Sequence, residues 1–482
     1  MKRSLIALLT LSLLLATACG QTSEGQTVST DSGNTTDTTE EVSTELAPKT
    51  PDLNLDGRDF TIYEWRFHNE FDIFEQTGDL LEDAVYRRNI AIENKYNCKL
   101  GVVWSDGGPK DWSSWFGTLE SSILAGDDSF QLVGGYSYRL MPLALNGNYL
   151  DWNTLPHIDL DMPWWQNTMD ETASIGGATY TMKGSLATSH IDVTYAILFN
   201  KDLCRDYGVD DLYDLVDRGE WTFDKLREYS ALCHADLNGD GNMTEVDRYG
   251  YLTGKNMYVD VWNDSFDIQF TRYENGKPVI LPLSDKLKNV TDTLYDFFFD
   301  SGDAYYFMDD ISLANEAFKN GQGMFVMSEI GQMAKLRDME SDFGIIPTPK
   351  YDAAQESYVT YNALGNSTGF VIPITADPEI SAVISDQLAY EGWRDIVPVY
   401  YDIALKSKYG RDERSADMLD LIMSNIRCEF TQVYSYAFGD QEAPSMMLRQ
   451  VIKKKSTDIA SMYAERQTKW NNTLESLINT LS

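Results

Sequence analysis

Short apolar runs alternate with amphipathic stretches from about residue 58 onward. Apolar residues at three- and four-residue spacing predict helices at 80–96 and 112–125. Runs rich in β-branched and aromatic residues predict strands in the first half of the chain at 60–63, 100–104, 130–133, 178–183 and 194–199. Strands that alternate with helices through short connections form parallel pairs, so the pattern predicts an α/β fold.

The second half of the chain continues this pattern and ends in helices. Thr222 is a favourable N-cap for a helix that runs to about residue 234. Buried-type strands are predicted at 323–327, 343–347 and 370–373, and helices near the end of the chain at 415–426 and 444–481. Because 482 residues exceed what one hydrophobic core usually organises, we expect two lobes or two domains.

The N-terminal residues have the pattern of an export signal. Lys2 and Arg3 precede an apolar stretch at 5–16 that is too short to span a bilayer, and small residues then lead to Cys19. Residues 1–19 resemble a bacterial lipoprotein signal, in which Cys19 becomes the lipidated first residue; an ordinary secretory signal beside a chance Cys is the alternative. Residues 20–54 lack aromatic side chains and predict a disordered tether. The expected location is the extracytoplasmic face of the cell membrane, held there by the lipid alone.

Charge and cysteine spacing exclude several classes of function. The formal net charge of −36 repels phosphate backbones, which argues against a nucleic-acid partner. The remaining cysteines are widely separated and form no Cys-x-x-Cys pair, so they indicate neither a zinc site nor a redox motif. We expect buried free thiols rather than disulfides at Cys98, Cys204, Cys233 and Cys428.

Five short segments together carry a family resemblance. They are AGD at 125–127, ILFNKDL at 197–203, GEWTFD at 219–224, KNGQGMF at 319–325 and DFGIIPTPK at 342–350. In this order and spacing they resemble the extracellular solute-binding proteins of the maltose-binding type, the lipoprotein components of ABC sugar importers. The resemblance extends over roughly residues 58–470.

The resemblance implies a two-lobed periplasmic-binding-protein-like fold with a hinge and a ligand cleft between the lobes. The first lobe would comprise residues 55–192 and 341–400, and the second residues 193–340 and 401–482. It also implies a monomer that is not an enzyme, captures a carbohydrate, most simply an oligosaccharide, and delivers it to the permease subunits of an ABC transporter. A secreted glycoside-acting enzyme and a binding protein for a non-sugar solute are the alternatives.

Candidate ligand-binding residues follow from strand ends and from the resemblance. Trp65, Arg66, Tyr136 and Arg139 follow predicted parallel strands, and ligands of α/β proteins bind at the carboxyl ends of such strands. Flat aromatic rings also stack on the apolar faces of sugars, although most of the 11 Trp and 28 Tyr must lie in the core. The resemblance adds residues just before the first crossing and from the second lobe: His190, Asp192, Tyr258, Trp262, Ser328 and Glu329.

Residues 236–247 resemble a calcium loop of the EF-hand type. Oxygen-bearing side chains stand at positions 1, 3 and 5, Gly241 stands at position 6, and the carbonyl of position 7 can also coordinate. Position 12 is Asp instead of the usual Glu, and a strand-like segment follows instead of a second helix. The pattern predicts one structural Ca²⁺, with a metal-free acidic turn as the alternative. The expected ligands are Asp236, Asn238, Asp240, Asn242 and Asp247.

One hydrolase motif also occurs. Residues 365–369 match the Gly-x-Ser-x-Gly nucleophile elbow by letters. That arrangement requires a His after the nucleophile, yet every His precedes Ser367, and a strand instead of a helix follows it. We therefore do not interpret Ser367 as a nucleophile. The sequence contains no glycine-rich phosphate loop and no His-Glu-x-x-His motif.

Overall fold

The computed structural model describes residues 46–66, 68–106, 112–144, 146–166, 174–308, 312–363, 367–405 and 413–481. The predicted signal peptide, Cys19 and most of the predicted tether lie outside these residues. The last part of the predicted tether packs on the folded chain, because Leu53 contacts the core and the Thr50 hydroxyl lies 3.4 Å from that of Tyr96. Within the described part of the chain, no helix combines the length and the apolar character needed to cross a bilayer.

The strands are β1 Asp59–Trp65, β2 Lys99–Ser105, β3 Leu132–Tyr136, β4 Tyr195–Asn200, β5 Tyr249–Gly254, β6 Thr271–Glu274, β7 Lys277–Ile280, β8 Ala304–Phe307, β9 Gly323–Glu329, β10 Phe343–Ile346, β11 Thr360–Tyr361, β12 Thr368–Val371 and β13 Ile426–Arg427.

The α-helices are α1 Leu80–Tyr96, α2 Trp112–Ala125, α3 Ser137–Ala144, α4 Ser189–Asp192, α5 Lys201–Asp206, α6 Leu212–Asp217, α7 Phe223–Ser230, α8 Met257–Ser265, α9 Asp285–Tyr295, α10 Ser312–Lys319, α11 Pro378–Glu391, α12 Val397–Leu405, α13 Glu413–Ser424, α14 Phe430–Val433, α15 Met447–Lys453 and α16 Ile459–Leu481. A π-helical turn, Gly392–Ile396, joins α11 to α12.

Two mixed sheets define two lobes. The first lobe contains a four-stranded sheet in the order β12-β3-β1-β2, in which β1 is parallel to β2 and β3 and β12 is antiparallel to β3. The second lobe contains a five-stranded sheet in the order β10-β4-β9-β5-β8, in which β5 is parallel to β8 and β9. The predicted parallel pairing is therefore confirmed for these central strands.

The chain crosses between the sheets more than once. It enters the second sheet at β4 and returns to the first at β12, and both of these strands pair antiparallel to their neighbours. Strand β10 pairs with β4, so the structure places residues 343–346 in the second sheet, although we predicted that the first lobe resumes at residue 341. The return to the first sheet lies between β10 and β12.

One predicted strand is wrong. Residues 178–183 make only isolated bridges, between Ile175 and Ala178 and between Met182 and Phe370. This segment meets the edge of the first sheet at Met182 alone, and the following Gly184 bridges to Trp165 instead of continuing along β12. Alternating apolar residues can describe such an irregular buried segment as well as a strand.

The predicted helix ends also need correction. Thr222 caps α7 by accepting a hydrogen bond from the Lys225 N–H, as predicted, but the helix ends at Ser230 because Ala235 already bridges to Arg248. The predicted helix at 444–481 divides into a 3₁₀ turn, α15 and α16. Lys455 adopts a positive φ of 51° between the last two, which ends the helical path.

The two faces of the first sheet belong to different hydrophobic clusters. Phe60 and Ile62 of β1 pack with α11 in one cluster, whereas Tyr63 and Trp65 point the opposite way into a larger cluster that continues into the second sheet. This alternation follows from the two-residue period of a strand. Cys98, Cys204, Cys233 and Cys428 are buried and form no disulfide among the described residues, as predicted.

Candidate functional site

A cavity of about 140 Å³ lies where the carboxyl ends of strands from both sheets approach each other. Strand β3 ends at Tyr136 on the first-lobe side, and Met257 follows β5 on the second-lobe side. Ala363, on the segment that returns to the first sheet, lies between them. The lining residues are Tyr136, Tyr138, Met257, Ala363, Asp440, Gln441, Met446 and Arg449.

Aromatic rings form the first-lobe wall of this cavity. Tyr136 stacks on Trp65, with ring centroids 5.5 Å apart, and meets the edge of Tyr138 at 5.9 Å. Trp65 is fully buried, and its indole N–H donates to the Thr368 hydroxyl of β12 at 2.9 Å. Contacts among β1, β3 and β12 therefore fix the orientation of the Tyr136 ring.

The strand that carries Tyr136 must approach α2 closely. A Cβ atom at Gly135 would lie 2.3 Å from the ring of Trp115, which is fully buried in α2. Only glycine lets the backbone of β3 pass this ring without a shift. The sequence thus places a small residue directly before the aromatic wall.

A buried ion pair forms the second-lobe wall. Arg449 of α15 donates a bidentate pair of hydrogen bonds to Asp260 of α8, with its Nε 3.0 Å from Oδ1. Both residues are buried, and burial lowers the pKa of Arg449. The remaining Arg449 nitrogen, Nη1, lies 3.4 Å from the Gln441 side-chain oxygen at the cavity. The cavity therefore offers a positioned guanidinium whose charge is largely balanced.

Arg139 connects the two lobes beside the cavity. Its guanidinium lies 4.6 Å from the ring centroids of both Trp112 and Tyr436, which meet edge to face at 6.4 Å, and 3.8 Å from the Asp440 carboxylate. Trp112 belongs to α2 of the first lobe, whereas Tyr436 and Asp440 belong to the C-terminal part of the chain. The cation–π contact with Tyr436 and the ion pair with Asp440 hold this side chain across the cleft.

Two carboxylates lie close to the crossing segments. Asp192 accepts a hydrogen bond from the Tyr400 hydroxyl, and Glu329 accepts one from the Tyr195 hydroxyl at 2.8 Å. Burial raises the pKa of both carboxyl groups. Both groups therefore already have a tyrosine partner within the protein.

Comparison with known proteins finds similar folds among solved structures. No protein-family model matches the chain, and no curated protein matches its sequence. Among solved structures, UgpB from Mycobacterium tuberculosis in complex with glycerophosphocholine is 15% identical with a TM-score of 0.56, and the match covers 87% of this chain and 98% of UgpB. An ABC substrate-binding protein from Listeria monocytogenes in complex with cycloalternan is 13% identical with a TM-score of 0.52, over 88% and 99% of the two chains.

The chain has the two-lobed fold of the ABC solute-binding proteins. The GacH receptor of Streptomyces glaucescens shares this fold at 10% identity, with a TM-score of 0.55 and coverage of 87% of this chain and 99% of the receptor. The fold that the five sequence segments implied is therefore confirmed. At such identities the likeness concerns the fold, and the ligand must be argued from the cleft itself.

Within this solute-binding fold, only part of the predicted site reaches the cavity. Tyr136 lines it, Arg139 lies beside it, and Trp65 supports it from behind. Arg66 is exposed and lies over the Trp104 ring at 3.9 Å within the first lobe. His190 lines a different cavity and bonds through Nδ1 to the Ala187 carbonyl at 2.8 Å.

The second-lobe candidates lie mainly in the core. Trp262 is fully buried among Phe223 and Phe266, so no face of its ring is open to a ligand. Tyr258 is also buried, and the Ser328 hydroxyl donates to the Asn315 side chain at 2.8 Å. Large aromatic residues near a strand end can serve packing as readily as binding.

Sequence reasoning missed most of the second-lobe wall. Asp440, Gln441 and Arg449 come from the C-terminal helical part of the chain, roughly 300 residues after Tyr136. No local motif marks them. Arg449 directly follows the apolar run at 446–448 and was the one available signal.

The predicted calcium loop has a tightly turned backbone. Asp236 accepts from the N–H groups of Gly239 at 2.6 Å and Gly241 at 2.7 Å, and Asp247 accepts from the Leu237 N–H at 2.9 Å. Both glycines have positive φ values, 74° and 82°, as the sharp turn requires. Within the described residues, no group of three or more His, Cys, Asp or Glu side chains converges on one point. The turn and the oxygen donors thus suit Ca²⁺, although the carboxylates are not drawn together.

Proposed function

We propose that this chain is an extracytoplasmic solute-binding protein that captures a carbohydrate between its lobes and delivers it to an ABC permease. The observation that carries the proposal is the cavity between the lobes, with tyrosine rings on one side and positioned polar groups on the other. A ligand that touches both walls stabilises the arrangement in which the lobes are close together. Such a change can signal occupancy to a permease.

The lining suits a neutral polyhydroxyl ligand. Tyr136 and Tyr138 offer ring surfaces for the C–H faces of a sugar, and the stacking of Tyr136 on Trp65 and its edge contact with Tyr138 keep the rings in place. Asp440 can accept from hydroxyl groups, while Gln441 and Arg449 can donate to them. Arg449 is already paired with Asp260, which favours a neutral ligand over a strongly anionic one.

The solved structures of this fold support the same class of ligand. The maltose/maltodextrin-binding domain MalE from Bdellovibrio bacteriovorus, bound to maltotriose, is 13% identical with a TM-score of 0.52. UgpB holds glycerophosphocholine in the same fold, so a polar solute that is not a sugar is the second outcome to test.

Thermal shift across mono- and oligosaccharides and glycerophosphodiesters tests the proposal. A binding sugar should raise the melting temperature, and the rise should grow with the logarithm of the ligand concentration above the Kd, because the sugar binds the folded state alone. Tyr138→Ala should lower the affinity about tenfold or more, since an aromatic contact contributes roughly 0.5–1.5 kcal/mol beyond its buried area. Trp104→Ala removes an exposed ring from β2 and serves as the matched control.

Chromatography of the incubated ligand distinguishes binding from catalysis. A solute-binding protein returns the sugar unchanged, whereas a glycoside-acting enzyme releases altered products. Binding of a glycerophosphodiester without any sugar would retain the solute-binding role but reject the carbohydrate. A chain that binds none of these ligands would contradict the proposed function.

We further propose that Cys19 anchors the chain to the outer face of the membrane through a lipid. The support is the signal pattern of residues 1–19, with its positive start and apolar stretch. Metabolic labelling with a fatty-acid analogue should modify the parent chain, and Cys19→Ser should abolish the label. Labelling that persists in the Cys19→Ser variant would reject this site.

The loop at 236–247 is our proposed site for one structural Ca²⁺. The donors would be Asp236, Asn238, Asp240, Asp247 and the carbonyl of Asn242. Calorimetry of calcium-stripped protein should detect binding that the double variant Asp236→Ala, Asp240→Ala lacks. Asp285→Ala, which removes an exposed carboxylate outside the loop, should bind as the parent does. Absence of heat in the parent chain would contradict the proposal.

A further inference from the structure

A second and larger cavity, of about 390 Å³, lies between the lobes and shares no lining residue with the proposed sugar cleft. Its walls come from the first lobe, from the turn that joins α11 to α12, and from α13. We call it the hinge pocket. Its lining residues are Pro163, Trp164, Trp165, Gln166, Gly184, Ser185, His190, Ile191, Trp393, Val397, Tyr401, Asp420, Met423, Ser424 and Ile426.

The first-lobe wall of the hinge pocket is rigid and aromatic. The indole N–H groups of Trp164 and Trp165 both donate to one oxygen of Asp386 in α11, at 2.7 and 2.8 Å. Trp393 packs on Trp164 with ring centroids 6.0 Å apart. A Cβ atom at Gly184 would lie 2.5 Å from the Trp164 carbonyl oxygen, so the segment beside the pocket is held close to this wall.

The opposite wall belongs to the second lobe. Helix α13 contributes Asp420, Met423 and Ser424 to the pocket. The same helix is fixed to α6 of the second lobe, because the hydroxyls of Ser415 and Tyr213 lie 2.9 Å apart and Arg414 pairs with Asp217 at 2.8 Å. A molecule in the hinge pocket would therefore touch both lobes.

Polarity changes with depth in the hinge pocket. The floor is buried and mostly apolar, with Trp164, Trp165, Ile191 and Ile426, whereas Asp420 and Ser424 are exposed at the mouth. Burial lowers the pKa of His190 to about 4, so this side chain is neutral at physiological pH. The described lining contains no Lys or Arg. Asp420 is therefore the group that gives the pocket its charge.

We propose that the hinge pocket binds a small arylalkylamine, with its aromatic body on the tryptophan floor and its ammonium group at Asp420. The aromatic and aliphatic walls exclude water from the body of such a ligand, and the carboxylate at the mouth selects a cation. Asp420 would repel a carboxylate or phosphate ligand, because both groups are negatively charged. Because both lobes contact the ligand, its binding stabilises the arrangement of the lobes seen here.

Calorimetry with three matched indoles tests the proposal on the full chain. Tryptamine carries an ammonium group, tryptophol is its neutral counterpart, and indole-3-acetate is an anion. We expect one tryptamine site, with tryptophol about threefold to fivefold weaker, because an exposed ion pair contributes up to about 1 kcal/mol. Indole-3-acetate should be the weakest of the three.

Variants separate the hinge pocket from the cleft. Asp420→Asn should abolish the preference for tryptamine over tryptophol, whereas Asp417→Asn, which removes a neighbouring exposed charge outside the lining, should retain most of it. Trp393→Ala should weaken both ligands, and the cleft variant Tyr138→Ala should leave both unchanged. Absence of binding by all three indoles, a preference for the acid, or a preference that survives Asp420→Asn would overturn the proposal.

Discussion

Single buried polar residues hold much of the first lobe in place. Asp386, which is almost fully buried, accepts the indole N–H groups of both Trp164 and Trp165. Burial raises the pKa of its carboxyl group to about 6, and the two indole hydrogen bonds oppose this rise. The residue therefore titrates close to neutral pH, although it lies far from the proposed sugar cleft.

Replacement of this carboxyl should change how stability depends on pH. Folding raises the pKa of the Asp386 carboxyl from 3.8 to about 6, so the protonated group favours the folded state. Its contribution to stability is complete below about pH 4 and is lost as the pH rises through 6. Asp386→Asn keeps an acceptor but does not titrate. Between pH 4 and 7 the free energy of unfolding of the parent should fall by about 2 to 3 kcal/mol relative to that of this variant. Urea unfolding at several pH values measures the difference, and parallel pH profiles would contradict the assignment.

The buried pair of Arg449 and Asp260 predicts a second residue-scale effect. Asp260→Ala leaves a guanidinium buried without its carboxylate, which should lower the free energy of unfolding by about 3–5 kcal/mol. The double variant Asp260→Ala, Arg449→Met removes both charges, so its free energy of unfolding should fall much less than that of Asp260→Ala. Urea unfolding of both variants checks this, and equal losses would show that the charge left behind is not the cause.

At the scale of elements, close backbone contact between α7 and β5 constrains the second lobe. A Cβ atom at Gly250 of β5 would lie 2.1 Å from the Ser230 carbonyl oxygen at the end of α7. Gly250→Ala should therefore lower the free energy of unfolding by about 1–3 kcal/mol or more, because backbone must move. Gly117→Ala in α2 meets nothing within 4 Å and should instead stabilise by up to about 1 kcal/mol. Opposite signs in thermal unfolding confirm the contact, and the same sign would contradict it.

The sequence predicted the elements with a clear period, such as β1, β9, α1 and α13, but it did not predict β6 to β8 or α8 to α12. Helix α1 spans Leu80–Tyr96, the range that its apolar spacing predicted. The strand predicted at 178–183 is wrong because the apolar residues of this segment are buried in an irregular conformation and not in a sheet.

The site was predictable only on the first-lobe side. Tyr136 and Arg139 follow a strand, and the carboxyl end of a parallel strand has a known place in the fold. Arg449 lies on a helix whose position depends on packing against α8, which no local pattern encodes. The resemblance suggested Trp262 as a ligand contact, but the ring is fully buried, and the sequence does not distinguish a stacking ring from a core ring.

For the whole molecule, the contacts of Arg139 across the cleft determine how readily the lobes separate. The C-terminal residues that meet Arg139 are fixed to the second lobe, since Asn263 donates to the Ser445 carbonyl at 2.9 Å. Arg139→Ala should remove about 1 kcal/mol of cation–π attraction to Tyr436 and shift the equilibrium toward separated lobes about fivefold. Small-angle scattering should then report a larger radius of gyration without ligand.

Arg66→Ala provides the matched control for this prediction. It removes a cation–π contact of the same kind, over Trp104, but entirely within the first lobe. Its radius of gyration should equal that of the parent chain. An unchanged radius in the Arg139→Ala variant, or the same increase in both variants, would show that the contact across the cleft does not hold the lobes.

Because β12 comes late in the chain, the first sheet stays incomplete during most of synthesis. Strand β12 covers the outer edge of β3, yet it leaves the ribosome only after β4 to β10. Until then a nascent chain carries β1, β2 and β3 with an open edge of unpaired N–H and C=O groups, which invites pairing with other chains. A product that stops before residue 368 is therefore an aggregation hazard and not a smaller working protein.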